Sequence, residues 1–234
     1  MLINEADRQK LTELFSKELN TPVRVLVFTV DVNDVSNGNS DCMYCKETVQ
    51  LATEVGELSD KITVEVYDLY KDRDTAEEYG ISRAPAIAIV GARDYGIRFY
   101  GIPAGYEFPA FVSALINVSK GVSGLSLNNI KRLGRIDKPV HIQVFVTPTC
   151  PYCAPAVQLA HKIALASDFI RADMVEAQEF PELATHYGVY GVPRTVINED
   201  YHIEGAVPED TFVLHVLAAA GKITKEQAAL AGLV

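Results

Sequence analysis

Internal repetition is the strongest constraint on what this chain can fold into. Its cysteines fall in two short pairs, Cys42-Met43-Tyr44-Cys45 and Cys150-Pro151-Tyr152-Cys153, and no other cysteine occurs among the 234 residues. Aligned at an offset of 108 residues, the surrounding segments agree well beyond the cysteines. Val49-Gln50-Leu51-Ala52 recurs as Val157-Gln158-Leu159-Ala160, Tyr79-Gly80-Ile81 as Tyr187-Gly188-Val189, and Pro85 as Pro193, all without a gap. Upstream, TPVRVLVF (21–28) matches KPVHIQVF (138–145) at an offset of 117, so the first half carries nine extra residues, which fall in 31–41. Downstream, Gly101 matches Gly205 at an offset of 104, which shortens the second hairpin by four. Length changes confined to loops are what a duplicated unit tolerates.

The periods within one repeat predict its elements. A helix near 4–19 leads to an apolar, β-branched run at 22–30, continuous enough for a buried central strand. Residues 43–58 place Val49, Ala52, Val55 and Leu58 on one helical face directly after the first cysteine. A strand at 62–69, a short helix at 74–80, a strand at 85–90 and a hairpin partner at 97–101 follow, and 106–118 reads as an amphipathic helix. The same order returns at 125–135, 139–147, 151–166, 169–176, 179–186, 193–198, 201–205 and 209–220, with one more helix at 224–231. Gly121 and Gly124 interrupt both periods, which sets the expected domains at 1–120 and 121–234.

Composition narrows the function classes. With 48% hydrophobic and 22% charged residues the chain reads as an ordinary folded protein. A net charge of −10 has the wrong sign for neutralising phosphates, which argues against nucleic acid as a partner. The charge is uneven: up to Ser119 there are 11 basic and 19 acidic residues, and beyond it 10 and 12. No run approaches the roughly 18 apolar residues of a membrane span. Leu11, Leu14, Phe15 and Leu19 lie among charges rather than in an uninterrupted apolar leader, so the expectation is a soluble, cytoplasmic protein with no membrane partner.

Strand, CxxC at a helix start, strand, helix, then a proline opening a hairpin and a closing helix is the order of a thioredoxin fold. Over essentially its full length the chain resembles the tandem-thioredoxin-fold, glutaredoxin-like protein disulfide oxidoreductases of archaea and thermophilic bacteria. The resemblance rests on both CxxC motifs, the matched prolines and the CPYC of the second site. It implies an α/β architecture of two tandem thioredoxin folds, each a central mixed sheet flanked by helices. It also implies redox-active disulfides Cys42–Cys45 and Cys150–Cys153, with no other cofactor and no metal. Pro85 and Pro193 should then be cis, leaving the backbone of Ala84 and Val192 free to pair with an extended substrate. The expected partners are proteins bearing disulfides or dithiols and a flavin-dependent thioredoxin reductase as electron donor, since no nucleotide-phosphate loop is visible.

The chemistry explains why such residues are needed. Thiol–disulfide exchange requires a thiolate to attack and a second thiol close enough to resolve the mixed disulfide. A cysteine opening a helix lies among unpaired N–H groups at the positive end of the dipole, which lowers its pKa. Cys42 and Cys150 are therefore the expected nucleophiles, with Cys45 and Cys153 resolving. Pro151 suits the first turn because it has no N–H to leave unpaired. Asp41, with Asp31 and Asp34 in the preceding loop, should disfavour the Cys42 thiolate, which makes Cys150 the stronger nucleophile.

Other readings weigh less. Two CxxC pairs form a zinc ribbon when about 15–20 residues separate them, but 104 lie between Cys45 and Cys150. A zinc-binding or chaperone-like module is thus the competitor from another class. The competing enzyme reading is an electron carrier for a flavin-dependent peroxide-reducing system, whose tandem module keeps one CxxC. All five histidines, His141, His161, His186, His202 and His215, lie in the second half. His161 is about 16 Å along a helix from Cys150, too far for a Cys-His nucleophile. Residues 31–41 resemble a calcium loop only superficially, because Val35 stands where an oxygen ligand is expected. Relatives with one domain keep a buried acid six residues before the first cysteine. Val144 and Ser36 stand at those positions here, so proton transfer must use water or another group. The halves are expected to pack through their apolar helices as a compact monomer.

Overall fold

The computed structural model describes residues 1–30 and 42–231. The first repeat runs α1 (Glu5–Glu18), β1 (Val23–Thr29), α2 (Cys45–Gly56), β2 (Ile62–Asp68), α3 (Arg73–Glu78), β3 (Ala86–Val90), β4 (Asp94–Tyr100), a single 3₁₀ turn (Gly105–Glu107) and α4 (Phe108–Lys120). The second runs α5 (Leu127–Leu133), β5 (Val140–Val146), α6 (Cys153–Leu165), β6 (Ile170–Glu176), α7 (Pro181–His186), β7 (Arg194–Ile197), β8 (Tyr201–Glu204), α8 (Glu209–Ala219) and α9 (Lys225–Ala231). Every element expected from the periods is present. Among the described residues no helix is long and apolar enough to cross a membrane.

β1 and β5 are central because neither face of them meets water. Val25, Leu26, Val27 and Phe28 on β1, and Ile142, Val144, Phe145 and Val146 on β5, are fully buried, as a strand covered on both sides requires. β1 pairs parallel with β2 and antiparallel with β3, which pairs antiparallel with β4. β5 pairs in the same way with β6 and β7, and β7 with β8. The duplication is visible in single hydrogen bonds. Leu69 N–H to Thr29 O (2.8 Å) recurs as Ala177 N–H to Val146 O (2.9 Å). Gly101 N–H to Pro85 O (2.9 Å) recurs as Gly205 N–H to Pro193 O (2.8 Å).

Two expectations need correction. Because Thr29 and Val146 are equivalent, the counterpart of Val144 is Val27 on β1, not Ser36. The nine-residue insertion lies between strand and cysteines, so counting back from Cys42 lands in it. Ser36, Asp31, Asp34, Asp41 and the calcium-like segment lie outside the described residues. Nor do the halves meet through helices alone. β4 pairs parallel with β6, aligning Ile97 with Ala172 and Tyr100 with Val175, and fuses both sheets into one of eight strands, ordered β2-β1-β3-β4-β6-β5-β7-β8. Each β4 or β6 edge alone would expose unpaired N–H and C=O groups, and pairing removes both edges.

Side chains alternate across that seam. Phe99 faces one core, edge-on to Phe111 (5.6 Å between centroids) and to the buried His161 of the other repeat (4.8 Å). Tyr100 faces the opposite core with Phe145, Val175 and Phe180. Polar groups close the seam: Arg171 donates to Asp173, to Gly80 O and to the Tyr100 hydroxyl, each at 2.8 Å. His141 Nε2 lies 2.6 Å from Asp173. Burial would raise the Asp173 carboxyl, but the His141 hydrogen bond and the Arg171 charge outweigh it and hold it below its usual value.

With sheet and core shared, both repeats should unfold in one transition. Phe99→Ala should cost about 3–5 kcal/mol through the cavity left at the seam. Denaturant unfolding of wild type and variant checks this, and two separated transitions in the wild type would refute the shared core.

Candidate active sites

At the first site β1 delivers the chain toward the start of α2, where Tyr44 is the capping residue and Cys45 the first helical one. Cys42 and Cys45 form a disulfide with Cα atoms 5.5 Å apart. Cys45 is 2% exposed, whereas Cys42 is only partly buried. The Ala84–Pro85 peptide is cis, and Ala84 and Cys42 line one cleft of about 270 Å³ together with Arg83, Tyr70, Glu179 and Phe180. Glu179 and Phe180 belong to the other repeat.

The second site repeats the arrangement. Tyr152 caps α6, Cys153 opens it, and Cys150 and Cys153 form a disulfide, again with Cα atoms 5.5 Å apart. Cys153 is fully buried and Cys150 8% exposed. Val192–Pro193 is cis, and the Cys150 sulfur lies 3.7 Å from Val192 O. Each predicted site residue is thus beside its partners: Cys42, Cys45, Ala84 and Pro85 in one place, Cys150, Cys153, Val192 and Pro193 in the other.

The carboxyl groups around these sites were not legible in the sequence. Glu107 lies in the 3₁₀ turn of the first repeat, yet that turn is fastened to the second site, because Tyr106 N–H donates to Pro148 O at 3.0 Å, two residues before Cys150. The approach depends on Gly105, at φ +59°, where a Cβ would fall 2.5 Å from that same oxygen. Glu107 is 1% exposed and, among the described residues, neither carboxyl oxygen has a hydrogen-bond partner. Burial pushes its pKa up to about 8, so it holds a proton at neutral pH. Under the repeat, Glu107 matches Thr211, which carries no carboxyl signal.

The histidines stand apart from both sites. His161 is enclosed at the seam, 3.3 Å from Arg98 O, and burial lowers its pKa to about 4. Among the described residues, no histidine hydrogen-bonds to either cysteine pair, and no three His, Cys, Asp or Glu side chains converge as a metal site.

Two helix-opening CxxC disulfides, each beside a cis-proline loop on one mixed sheet, define a disulfide oxidoreductase of the thioredoxin fold. Comparison with known proteins agrees. Residues 140–218 match the thioredoxin domain family. A protein disulfide oxidoreductase from Aeropyrum pernix is 33% identical, with 94% of this chain and 95% of that one covered and a TM-score of 0.83. The N-terminal domain of alkylhydroperoxide reductase AhpF from Enterococcus faecalis is 28% identical over 92% of this chain and 99% of that one, at a TM-score of 0.81. A curated NADH dehydrogenase of Ferdinandcohnia aciditolerans is 25% identical over 73% of this chain, and the match spans 30% of that relative's length. The chain belongs to the thioredoxin-fold protein disulfide oxidoreductase family.

The buried acid has a measurable signature. The folded protein keeps a proton on Glu107 that the unfolded chain, with its carboxyl near 4.5, releases. Its contribution to stability therefore falls as pH rises toward 8. His161 acts in the opposite sense, but only below about pH 6.5. Between about pH 6.5 and 8, Glu107 should lower the unfolding free energy by about 1–2 kcal/mol, and Glu179, raised to about 7, adds to the fall in the wild type. Chemical denaturation across that range should give a shallower slope for Glu107→Gln, and an unchanged slope would contradict the burial argument.

Proposed function

We propose that the chain is a protein dithiol–disulfide oxidoreductase using both CxxC sites, one in each of two domains, 1–120 and 121–234. The observation that carries this reading is the repeated pairing of a helix-opening disulfide with a cis-proline loop. Cys42 and Cys150 are the nucleophiles, being at each site the more accessible sulfur beside the helix start. Cys45 and Cys153 resolve.

In reduction, the Cys150 thiolate attacks a substrate disulfide and one substrate sulfur leaves as a thiolate. Cys153, losing its proton, then attacks Cys150, which re-forms the Cys150–Cys153 bond and releases the second substrate sulfur. Two electrons and two protons pass to the substrate. The reverse sequence oxidises a dithiol, and the redox supply sets the direction. The backbone of Ala84 and Val192, beside each cis proline, receives the substrate strand. Exposed Met43 and Tyr44 at the first site and Tyr152 at the second support a protein substrate. Glu107, protonated and held beside the second site, supports a role as its proton-transfer group in place of the acid absent from Val144.

For the electron supply we favour a flavin-dependent thioredoxin reductase in a cytoplasmic setting, with glutathione secondary. Similarity to an NADH dehydrogenase and to an alkylhydroperoxide reductase domain supports a reductase-linked role. It also supports the second reading, a carrier for a peroxide-reducing flavoprotein, although two intact pairs favour the two-site enzyme.

Two experiments test this. Insulin reduction should run faster with NADPH and a thioredoxin reductase than with glutathione and its reductase, and the opposite order would overturn the assignment of the donor. Double replacement of Cys42 and Cys45 by Ser should leave folding intact and remove part of the activity, whereas the Cys150 and Cys153 pair should remove more. If losing the first pair harms turnover more, or unfolds the protein, the assignment of the second site as the stronger one fails.

A further inference from the structure

The first site has an acid of its own, and it comes from the other repeat. The loop after β6 brings Glu179 into the cleft that holds Cys42 and Ala84. Its Oε1 accepts from Ile102 N–H, just beyond β4, at 2.7 Å. This contact needs Gly101: at φ +92°, a Cβ there would fall 2.6 Å from Glu179 Oε1 and 2.6 Å from Glu176 Cβ. Glu179 Oε2 is buried with no hydrogen-bond partner among the described residues. Beneath it Glu176, 2% exposed, accepts from Glu179 N–H at 2.7 Å and leaves its own Oε1 unpartnered. Glu179 therefore lines the cleft that holds Cys42, and one of its carboxyl oxygens is left without a partner among the described residues and available to carry a proton.

We propose that Glu179 is the proton-transfer group of the Cys42–Cys45 site, acting through water in the cleft. The cleft's volume of about 270 Å³ has room for several waters at roughly 30 Å³ each. Other charged groups face the same space. Arg83 pairs there with Glu182 at 3.6 Å, near Tyr70, and Glu47, on the first turn of α2, acts on Glu179 through its charge. Burial, reinforced by the charges of Glu176 and Glu47 and opposed by the Ile102 hydrogen bond, raises Glu179 to about 7. Such a group can both give and take a proton near neutrality.

The inference rests on the exchange chemistry proposed above. A thiolate of a donor dithiol attacks Cys42, the Cys42–Cys45 bond breaks, and Cys45 leaves as a thiolate. Glu179 gives its proton to Cys45. The second donor thiol, deprotonated by the Glu179 carboxylate, attacks the first donor sulfur, so the donor disulfide forms, Cys42 departs as a thiolate and Glu179 is protonated again. Two electrons move from donor to protein. Glu107 has no part in this because it is fastened to the other site.

The test uses the full chain with Cys150 and Cys153 replaced by Ser, so that only the first disulfide reports. Its reduction by dithiothreitol is followed from pH 5 to 9, with rates expressed per reductant thiolate. Glu179→Gln keeps an oxygen for Ile102 N–H but cannot carry the proton, while Glu182→Gln removes a carboxylate at the same cleft as a control. We expect Glu179→Gln to slow reduction about tenfold below about pH 7 and to abolish the decline that the parent shows above it. Glu182→Gln should leave both features in place, and Glu179→Asp should restore part of the rate. A loss no larger than that of Glu182→Gln, or a pH profile that keeps the parent's shape, overturns the proposal. Protein-disulfide turnover is measured separately. If dithiothreitol reduction depends on Glu179 while no protein disulfide is turned over, the functional reading fails and this one stands.

Discussion

The parallel pairing of β4 with β6 is the interaction on which the rest of the molecule depends. Each thioredoxin-type sheet ends in a strand whose outer N–H and C=O groups would otherwise face water, and here the two ends satisfy one another. One consequence is energetic, because Phe99 and Tyr100 become buried on opposite faces of a seam that neither half could close alone. Another is geometric. The seam sets the distance between the halves to that of neighbouring strands, so that loops leaving β4 and β6 lie against the opposite repeat.

Those loops carry the carboxyl groups. The segment after β4 presents Gly101 to Glu179 and Gly105 to Pro148, so one connection serves both sites. At each, an absent side chain lets backbone N–H reach across the boundary: Ile102 to Glu179, Tyr106 to Pro148. The two acids are held by unlike means. Glu107 is enclosed with no partner and stays protonated because its charged form would be desolvated. Glu179 is raised to about 7 chiefly by burial, opposed by its one hydrogen bond and reinforced by the charges of Glu176 and Glu47. The sites are therefore repeats in their cysteines and prolines but not in their acids.

Much of this was legible in order of sequence locality. Cys42, Cys45, Cys150 and Cys153, with Pro85 and Pro193, announced themselves because they recur at one offset, and Val25 to Phe28 announced a doubly covered strand by an unbroken apolar run. The acids did not. Glu107 matches Thr211 and Glu179 matches Lys71 in the other repeat, so duplication offered no hint. Nor does an isolated glutamate in a connecting loop differ in composition from a solvated one. Counting residues even misled at Ser36, since the insertion before Cys42 broke the link between sequence distance and strand position.

By itself, the sequence determined everything that depends on neighbours along the chain: the order of elements, the duplication, the helix-opening cysteine pairs and the prolines facing them. Local periodicity and turn chemistry act over a few residues, and a repeat displays them twice. Only the tertiary structure decided how the repeats join and which acid lies beside which site. Both follow from edge strands meeting across residues 97–100 and 172–175, and hydrogen bonding between edges imposes no pattern on side chains. Burial of a carboxyl likewise arises from what closes over it, and what closes over Glu107 and Glu179 belongs in part to the opposite repeat.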